Sequence, residues 1–254
     1  MVKYKVKVKE GHDWRKHETA SLSVSVGQPY HEGDKFQSTL TWINQNFSRC
    51  LIDVSDTLQR YNTMAEYGLS DEEAMILARS QGDDWINRNK RYLDDLTIPY
   101  EIVRWETWIT HEDYPETRQK VGEIFNKSPV FCKSVEEEAQ RFLERQKSKG
   151  MLKSKEQAFY KNSILFLLEE VAGQTLYARS EPFATIYPGR RMKPWELVAT
   201  GQIPDAPKGL ENETYVRIVL DKVKGWKSMT ATFSHREPEL KQVAILKQLQ
   251  TKAL

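Results

Sequence analysis

The segment Ser25-Val26-Gly27 places a hydroxyl group directly after a run of small and apolar residues that begins at Ala20. The run is typical of a buried strand, and Gly27 allows the backbone to turn sharply where the strand ends. Ligands of open α/β sheets bind beyond the carboxyl ends of the strands. A serine hydroxyl at such an end can act as a nucleophile that forms a covalent intermediate. The alternative is a loop serine that caps the helix expected near Gly33.

The sequence around this serine lacks the common signatures of nucleotide binding and of hydrolase catalysis. It has no G-x-G-x-x-G fingerprint for a dinucleotide and no G-x-x-x-x-G-K-[ST] loop for a nucleoside triphosphate. The nucleophile elbow G-x-S-x-G is also missing, since only its second half, Ser-x-Gly, is present. The five histidines and two cysteines lack metal-ligand spacing, so we expect neither a metal nor another cofactor.

A second group with chemical potential is the pair Glu169 and Glu170, within the apolar segment ILFLLEEVAG. A carboxylate can hold an ammonium group and can act as a general base. Adjacent residues of a helix point about 100° apart, so only one of the two is expected to face a common site. The alternative is that both carboxylates are solvated at a helix end.

The elements that must position these residues alternate between strand and helix. The pattern predicts strands at residues 3–9, 20–24, 50–54, 100–105 and 183–187, and helices at residues 33–47, 70–95, 115–126, 134–149 and 154–171. Capping boxes at Ser70 and Ser134 predict two helix starts. The alternation predicts an α/β class with a parallel sheet covered on both faces, as one domain over residues 1–254. A β-hairpin turning near Gly225 and a helix over residues 239–254 are predicted to extend it.

The composition is that of a folded protein, with 39% hydrophobic and 29% charged residues among 254. The 38 basic and 36 acidic residues leave a net charge of +2. A generally basic nucleic-acid coat is therefore excluded, and any polyanionic partner would have to meet clustered cations. No apolar run approaches the roughly 18–20 residues of a membrane span, and the N-terminus does not resemble a signal peptide. We expect a cytoplasmic location and no membrane partner.

Six segments between Ala20 and Gly189 occur in a characteristic order: SVGQPYHEGDKF, TWINQNF, CLIDVSDTLQRYN, GDDWINRN, FLLEEVAG and TIYPG. Together they resemble the tRNA-dependent cyclodipeptide synthases. The resemblance implies a Rossmann-like domain, with a mostly parallel central sheet flanked by helices, similar to class I tyrosyl- and tryptophanyl-tRNA synthetase catalytic domains. It also implies the synthesis of a cyclic dipeptide from two aminoacyl-tRNAs without ATP, through aminoacyl and dipeptidyl groups linked to a serine.

The resemblance implies roles for single residues. Ser25 matches the nucleophile, and Tyr187 matches a late tyrosine whose hydroxyl relays protons beside it. The family has a tyrosine four residues before its ammonium-binding glutamate, on one helical face. Choosing Glu170 as that glutamate gives Phe166 at the tyrosine position, which keeps the ring, whereas Glu169 gives Leu165. We therefore prefer Glu170, and expect one hydrogen bond to the substrate amine to be missing.

Two further positions bear on the subgroup. Gln28 lies three residues after Ser25, where one group of the family has asparagine, and Pro188 follows Tyr187. The chain therefore resembles the X-Tyr-Pro group. Gly27, Gln28, Phe166 and Pro188 are expected to contact substrate.

The pocket for the first aminoacyl group is polar in this sequence. By resemblance it is lined by Ser21, Ser23, Asp53, Gly173 and Thr185. A buried aspartate beside hydroxyls is costly without a partner. We therefore predict histidine as the first residue, donating a ring N–H to Asp53, with lysine or arginine next. The alternative is an internal Arg or Lys that pairs with Asp53. The second residue is expected to be acidic or polar.

The tRNA backbone requires clustered cations. The predicted tRNA contacts are Arg79, Arg88, Lys90, Arg91, Arg190 and Arg191. Asp83, Asp84, Asp94 and Asp95 interrupt the helical group, so a solvated mixed-charge face is the alternative. Two other functions remain open at this point: a serine hydrolase that uses Ser25, with His31 and Asp53 or Asp56 as a triad, and a catalytically inactive tRNA-binding module.

Overall fold

The computed structural model describes residues 3–223, which form a six-stranded sheet with helices packed on both faces. The strands are β1 (Tyr4–Glu10), β2 (Thr19–Ser25), β3 (Arg49–Ser55), β4 (Tyr100–Arg104), β5 (Phe183–Tyr187) and β6 (Glu213–Lys222). Across the sheet their order is β1-β6-β5-β2-β3-β4. All neighbouring strands are parallel except β1 and β6, which are antiparallel. The predicted α/β class with a mostly parallel sheet is confirmed.

The longest helix in the described part of the chain runs through the centre of the helical layer. The helices are α1 (Gly33–Asn46), α2 (Arg60–Tyr67), α3 (Asp71–Leu93), α4 (Glu106–Ile109), α5 (Tyr114–Lys127), α6 (Pro129–Ser148), α7 (Glu156–Ser180) and α8 (Lys193–Ala199). The helix α7 has 25 residues and packs against α2, α5 and α6. No helix within residues 3–223 is both long and apolar enough to cross a membrane.

The start of α6 differs from the predicted capping box at Ser134. The helix begins at Pro129, and the Ser128 hydroxyl accepts a hydrogen bond from the Phe131 N–H at 3.3 Å. Ser134 lies inside the helix, where its hydroxyl donates to the Phe131 carbonyl at 2.7 Å. Proline suits the first helical turn, because the N–H that it lacks would have no partner there. The earlier Ser-Pro pair therefore starts the helix. The capping box predicted at the start of α3 is confirmed.

The C-terminal part of the sheet is more complex than the predicted hairpin. Its first strand corresponds to β6, which pairs in parallel with β5 and antiparallel with β1. The N-terminal strand therefore joins the sheet through β6. The turn near Gly225, the second hairpin strand and the helix predicted over residues 239–254 lie outside the described residues.

The strand β2 has two chemically different faces, because apolar residues and serines alternate along it. Leu22 and Val24 are fully buried in an apolar core shared with α1 and α3. Ser21, Ser23 and Ser25 point to the opposite face, which α7 covers. The hydroxyl of Ser21 accepts a hydrogen bond from Tyr177 on α7 at 2.8 Å. A row of serine hydroxyls thus lies between the sheet and α7.

Candidate active site

Ser25 is the last residue of β2 and is followed by a tight turn. Gly27 has a φ of 86°, a conformation that residues with side chains rarely adopt. The chain then forms the short 3-10 helix Pro29–His31. This helix places His31 so that its Nδ1 accepts a hydrogen bond from the Ser25 N–H at 2.9 Å. The backbone of Ser25 is therefore held in place by a side chain of its own turn.

Three hydroxyl groups form a chain at this end of the sheet. Ser25 Oγ lies 3.1 Å from Tyr187 Oη, and Tyr187 Oη lies 3.0 Å from Tyr30 Oη. Burial raises the pKa of Tyr187 well above its ordinary value, and neighbouring Tyr30 adds to the shift. Both phenols therefore keep their protons at neutral pH, and the chain can pass a proton from one hydroxyl to the next. The sequence analysis did not select Tyr30, although it lies only five positions after Ser25.

His31 is buried and neutral. Burial lowers its pKa to about 3. Because Nδ1 accepts the Ser25 N–H, the ring proton of the neutral imidazole is on Nε2. The imidazole contacts the Ser25 backbone and not Ser25 Oγ. Asp53 instead pairs with Ser23 and Gln174. Asp56 accepts hydrogen bonds from Arg104 and from the Thr57 N–H. The hydrolase triad considered from the sequence is therefore not assembled.

The two adjacent glutamates have opposite environments. Glu169 is buried and accepts hydrogen bonds from Arg60 at 2.7 Å, from Trp105 Nε1 at 2.9 Å and from Tyr61 at 2.8 Å. Burial alone would raise the pKa of Glu169, but Arg60 and the other donors hold it below its ordinary value. Glu169 is thus a structural anchor that fixes the rotation of α7.

Glu170 faces the sheet and the hydroxyl chain. Burial raises its pKa to about 8, and the nearby carboxyl groups of Asp53, Glu213 and Glu138 add to the shift. In turn Glu170 raises the pKa of Tyr187, so the two groups are close. Of the two glutamates, Glu170 is the one that lies near Tyr187.

On α7, the residues that cover the serine row follow Glu170 at intervals of three to four positions. Gln174 Nε2 donates to Asp53 at 3.1 Å, and Tyr177 Oη donates to Ser21. The sequence analysis missed Gln174 and Tyr177. Their spacing from Glu170, four and seven positions, is the signal that would have identified them.

Gly173, predicted to line the pocket, packs against Trp105, and its place in the pocket stays a prediction. A Cβ atom on Gly173 would lie 2.6 Å from the ring of Trp105. The missing side chain therefore makes room for Trp105 on the face of α7 that carries Glu169. Of the other predicted contacts, Phe166 is half-buried against the apolar cluster around α7, and Pro188 is half-buried after β5.

Asp53 is completely buried on β3, opposite Ser23 of β2. Its Oδ2 lies 3.5 Å from Ser23 Oγ and accepts from Gln174, whereas its Oδ1 has no partner among residues 3–223. Burial is the main reason that its pKa rises to about 7. Among residues 3–223 the hydrogen-bond partners of Asp53 are Ser23 and Gln174, and no Arg or Lys pairs with it. Thr185, on β5, is buried opposite Ser21.

A cavity of about 390 Å³ opens beside the turn that follows Ser25. Gly27 and Gln28 form part of its wall. Most of the remaining wall is polar. It is formed by α2, α3, α6 and the residues just before α2. Its polar side chains include Gln59, Asn62, Gln81, Arg88 and Gln146. The turn after Ser25 therefore borders this amide-rich cavity, whereas the serine row lies under α7.

The predicted cations of α3 lie at the surface, where acidic side chains accompany them. Arg79 pairs with Glu106, Arg88 with Glu32 at 3.1 Å, and Lys90 with Asp94 at 2.7 Å. The Arg91 guanidinium lies over the Tyr92 ring, 4.5 Å from its centre. A phosphate group would compete with these carboxylates for the cations.

The two arginines after Pro188 differ in exposure. Arg190 is half-exposed and pairs with Glu138 at 2.6 Å. Arg191 points inward, with 16% of its side chain exposed, and pairs with buried Glu213 at 2.6 Å. The Arg191 guanidinium thus already has an internal carboxylate partner, and its contact with tRNA stays a prediction. Among residues 3–223 no cluster of His, Cys, Asp or Glu could hold a metal ion.

Comparison with known proteins adds family information to this geometry. A family model described as cyclodipeptide synthase matches residues 11–171. A cyclodipeptide synthase structure from Fluoribacter dumoffii is 26% identical, with a TM-score of 0.76, and the match covers 87% of this chain and 100% of that chain. No curated protein sequence matches this chain.

Two more distant structures share the fold. A cyclodipeptide synthase from Candidatus Glomeribacter gigasporarum, bound to Phe-tRNAPhe, is 17% identical with a TM-score of 0.66 over 85% of this chain and 93% of that chain. A Mycobacterium tuberculosis protein, described as demonstrating that cyclodipeptide synthetases are related to type I tRNA synthetases, is 15% identical. Its TM-score is 0.63 over 86% of this chain and 94% of that chain.

Proposed function

The chain belongs to the cyclodipeptide synthase family, whose members are ATP-independent aminoacyltransferases, and we propose that it joins two aminoacyl-tRNAs through an ester on Ser25. The observation that carries the proposal is the hydroxyl chain from Ser25 through Tyr187 to Tyr30, with Glu170 directed at the same place. This arrangement offers a nucleophile, a proton path and a carboxyl group for an amine.

In the first step, Ser25 Oγ attacks the ester carbonyl of the first aminoacyl-tRNA. A new ester bond to Oγ forms, the bond to the terminal ribose oxygen breaks, and the Oγ proton moves through Tyr187 to that oxygen. One ester replaces another, so the step requires no triphosphate.

In the second step, the amine of the residue on Ser25 attacks the ester carbonyl of the second aminoacyl-tRNA. A peptide bond forms, the bond to the terminal ribose oxygen breaks, and that oxygen leaves with the proton that the amine loses, so a dipeptide remains on Ser25. The attacking amine must first lose a proton. The Glu170 carboxyl group has a pKa of about 8, close to the value of about 8 for an α-amine. Proton exchange between the two groups is therefore nearly balanced.

In the last step, the free amine of the dipeptide attacks the Ser25 ester. The six-membered ring closes, Oγ leaves with a proton from the attacking amine, and the enzyme is regenerated. Because nucleophile and ester belong to one molecule, proximity replaces concentration. We assign the chain to the X-Tyr-Pro group, since Gln28 and Pro188 fit that pattern.

The first amino acid is proposed to lie over the serine row, with histidine as the preferred side chain. The support is Asp53 Oδ1, a buried acceptor that has no partner in the described residues 3–223 and that a ring N–H would satisfy. An apolar side chain would leave this oxygen unpaired, which makes discrimination strong. The second, polar amino acid is proposed to occupy the amide-rich cavity beside Gln28. The tRNA backbones are proposed to follow Arg79, Arg88, Lys90, Arg91 and Arg190.

The test is incubation with a mixture of charged tRNAs, followed by mass spectrometry of small products and of the intact protein. A cyclic dipeptide and an aminoacyl adduct on the Ser25 peptide are the expected result. Release of free amino acids alone would indicate a hydrolase, and unchanged aminoacyl-tRNA would indicate a binding module.

Replacing Asp53 by asparagine will lower histidine transfer about 10- to 100-fold, because the amide removes the charge and turns an N–H group toward a donor. Transfer of an apolar residue will fall much less. The matched control is Asp34→Asn at a surface ion pair with Lys3, which should leave transfer unchanged. An unaltered amino-acid preference in Asp53→Asn would remove this residue from the pocket.

Replacing Tyr30 by phenylalanine will slow the first transfer about tenfold, because the outer hydroxyl no longer orients Tyr187. Rapid quenching of the acyl-enzyme reaction measures the effect. Tyr100→Phe, a surface substitution, is the control. A rate equal to that of the unmodified protein would show that protons leave Tyr187 by another path.

A further inference from the structure

The N-terminal strand β1 carries lysines that the proposed function does not use. Lysines stand at alternate positions before the first acidic residue of the sequence, as Lys3, Lys5, Lys7 and Lys9. Val6 and Val8, which lie between them, pack against the apolar core that β1 shares with α1. Because side chains alternate along a strand, Lys5 and Lys7 point to the opposite face, where both are exposed to solvent.

The strand register places Lys7 level with Ser25. Leu22 of β2 is level with Val216 of β6 through the intervening strand β5, so Ser25 and Val219, three positions later on each strand, are level as well. Val219 lies opposite Lys7. Val216 points to the apolar core, so Val219, an odd number of positions away, points to the face that carries the serine row. Lys7 is therefore on the same face as Ser25.

The distance between these two positions follows from the order of the strands. Strands β1 and β2 are separated by β6 and β5, which gives about 14 Å for three spacings of about 4.8 Å. Lys5 lies two positions farther along, about 7 Å past the level of Ser25, because β6 continues beyond the end of β5 to Lys222 and β1 pairs with this extension. The two lysines thus border the edge of the sheet at which Ser25 lies.

The start of β1 is fixed against α1. The Tyr4 N–H donates a hydrogen bond to Ser38 Oγ at 3.2 Å, and Lys3 Nζ donates to Asp34 at 2.7 Å. The helix α1 is also the one that follows the turn after Ser25. The lysines and the candidate nucleophile are therefore attached to the same helix, from two sides.

Cations outnumber carboxylates on this part of the sheet. Lys7 pairs with Asp221 at 2.6 Å, whereas Lys5 and Lys9 form no ion pair within residues 3–223. The Lys7 ammonium holds the pKa of Asp221 below its ordinary value, and Lys9 and Lys5 add to this effect, so all three lysines lie near one carboxylate. A phosphate group would meet Lys5 here without displacing a carboxylate, in contrast to the paired cations of α3.

We propose that Lys5 and Lys7 bind phosphate groups of the unpaired acceptor end of an aminoacyl-tRNA while its ester lies at Ser25. The inference rests on the proposed function, which brings that end of the tRNA to Ser25. A nucleic-acid strand carries one phosphate per about 3.4 Å of helix axis, so a distance of about 14 Å spans only a few nucleotides. Contacts to the backbone carry no sequence information, so every tRNA substrate should use them.

A different role for lysines on this strand is protection of the sheet edge. The strand β1 is the first in the sheet order, and charged side chains on an edge strand prevent pairing with a strand of another molecule. Glutamate at positions 5 and 7 would keep the edge charged but would repel phosphate. This difference separates the two roles.

The test measures binding of uncharged tRNA, over a range of salt concentrations, to the unmodified protein and to the double variant Lys5→Gln, Lys7→Gln. Each phosphate contact with a single strand contributes about 0.7 to the slope of log affinity against log salt. The variant should lose about 1.4 of this slope and bind about tenfold or more weakly at 0.1 M salt. The matched control is Lys120→Gln, Lys127→Gln, which removes two ion-paired lysines from the surface of α5. It should bind within about twofold of the unmodified protein.

Two kinetic readouts locate the contact. Single-turnover acylation of Ser25 at saturating charged tRNA should stay within about twofold in Lys5→Gln, Lys7→Gln, because neither lysine is proposed to contact the reacting atoms. With an aminoacylated CCA trinucleotide as donor, kcat/KM for acylation should fall at least about fivefold, since the contact is to the acceptor end. A loss confined to full-length tRNA overturns this placement of the contact.

The double variant Lys5→Glu, Lys7→Glu should bind tRNA more weakly than the glutamine variant, because its carboxylates repel phosphate. Unchanged tRNA affinity in both double variants overturns the proposal. If the glutamine variant then also self-associates in size-exclusion chromatography and the glutamate variant does not, the lysines protect the edge.

Failure of the proposed function is distinguishable from failure of this inference. No acyl-enzyme from any charged tRNA in the unmodified protein would remove the synthase mechanism. Binding of uncharged tRNA requires no catalysis, so its dependence on Lys5 and Lys7 is measured independently of that result.

Discussion

Replacing Ser25 by alanine will abolish the aminoacyl adduct and reduce cyclic dipeptide formation at least about a thousandfold, the scale on which enzymes lose activity with their nucleophile. Every step proposed above passes through an ester on Ser25 Oγ. The measurements are the intact mass of the protein after incubation with charged tRNA and the yield of cyclic product.

The structure supplies a matched control for this experiment. Ser55 lies opposite Ser25 in the sheet register, at the end of the neighbouring strand β3, and is also buried. Ser55→Ala also removes a serine hydroxyl at this edge of the sheet. Its rate of product formation should lie within about twofold of that of the unmodified protein. The fold should tolerate Ser25→Ala, because the lost hydrogen bond to Tyr187 contributes only about 1 kcal/mol. Substantial product from Ser25→Ala would exclude the covalent mechanism.

Replacing Glu170 by glutamine will reduce cyclic product at least about 100-fold while leaving the fold intact. The amide cannot take a proton from the attacking amine or hold an ammonium group by charge, and general acid–base groups contribute on this scale. The yield of cyclic product and the lifetime of the aminoacyl adduct measure this loss of activity. Because Glu170 is proposed to act after Ser25 is acylated, the adduct should accumulate in the variant. A variant that makes product at the normal rate would contradict this role.

The same substitution will stabilise the protein at alkaline pH. The folded pKa of Glu170 is about 8, above the value of about 4.3 in an unfolded chain. The folded protein therefore keeps a proton that the unfolded chain has released. This contribution to the free energy of unfolding is complete below about pH 4 and is lost as the pH rises through about 8.

The groups that face Glu170 are Asp53, Glu213, Glu138, Tyr187 and Tyr215. Glutamine cannot ionise among them, so the stability of Glu170→Gln relative to the unmodified protein will increase between pH 5 and pH 8. We expect a gain of about 1 kcal/mol or more at pH 8, since one pKa unit corresponds to about 1.4 kcal/mol. Urea unfolding at the two pH values measures it.

Glu169→Gln is the contrasting control. Its carboxylate holds the buried Arg60 guanidinium, so the substitution leaves that charge without its partner. The cost should be about 3–5 kcal/mol. Neighbouring glutamates on one helix are thus expected to change stability in opposite directions. If both variants are destabilised equally at pH 8, the assigned environment of Glu170 is wrong.

The sequence by itself determined the family and the fold class, because both depend on local patterns. The signals are the alternation of residues in β2, the glycine that follows Ser25 and the order of six short segments. The α/β class and the family membership are confirmed. The pattern also selected Ser25 and Tyr187. Their hydroxyl groups lie 3.1 Å apart in the tertiary structure, although the two residues are 162 positions apart in the sequence.

Only the tertiary structure decided which way the buried polar side chains face. A helix with carboxylates at 169 and 170 can rotate to present either one, and the choice depends on Arg60 and Trp105, which come from distant segments. The same rotation packs Gly173 against Trp105 and brings Gln174 to Asp53.

The position of β6 likewise depends on strands from both ends of the chain. No local signal predicts that it lies between β1 and β5, and Glu213 lies beside Phe183 only through that pairing. Periodicity reports that a residue is buried, but its partner is chosen by packing and strand register over the whole domain. That is the physical reason why Ser25 could be selected as the candidate nucleophile from a short segment and the charges around it could not.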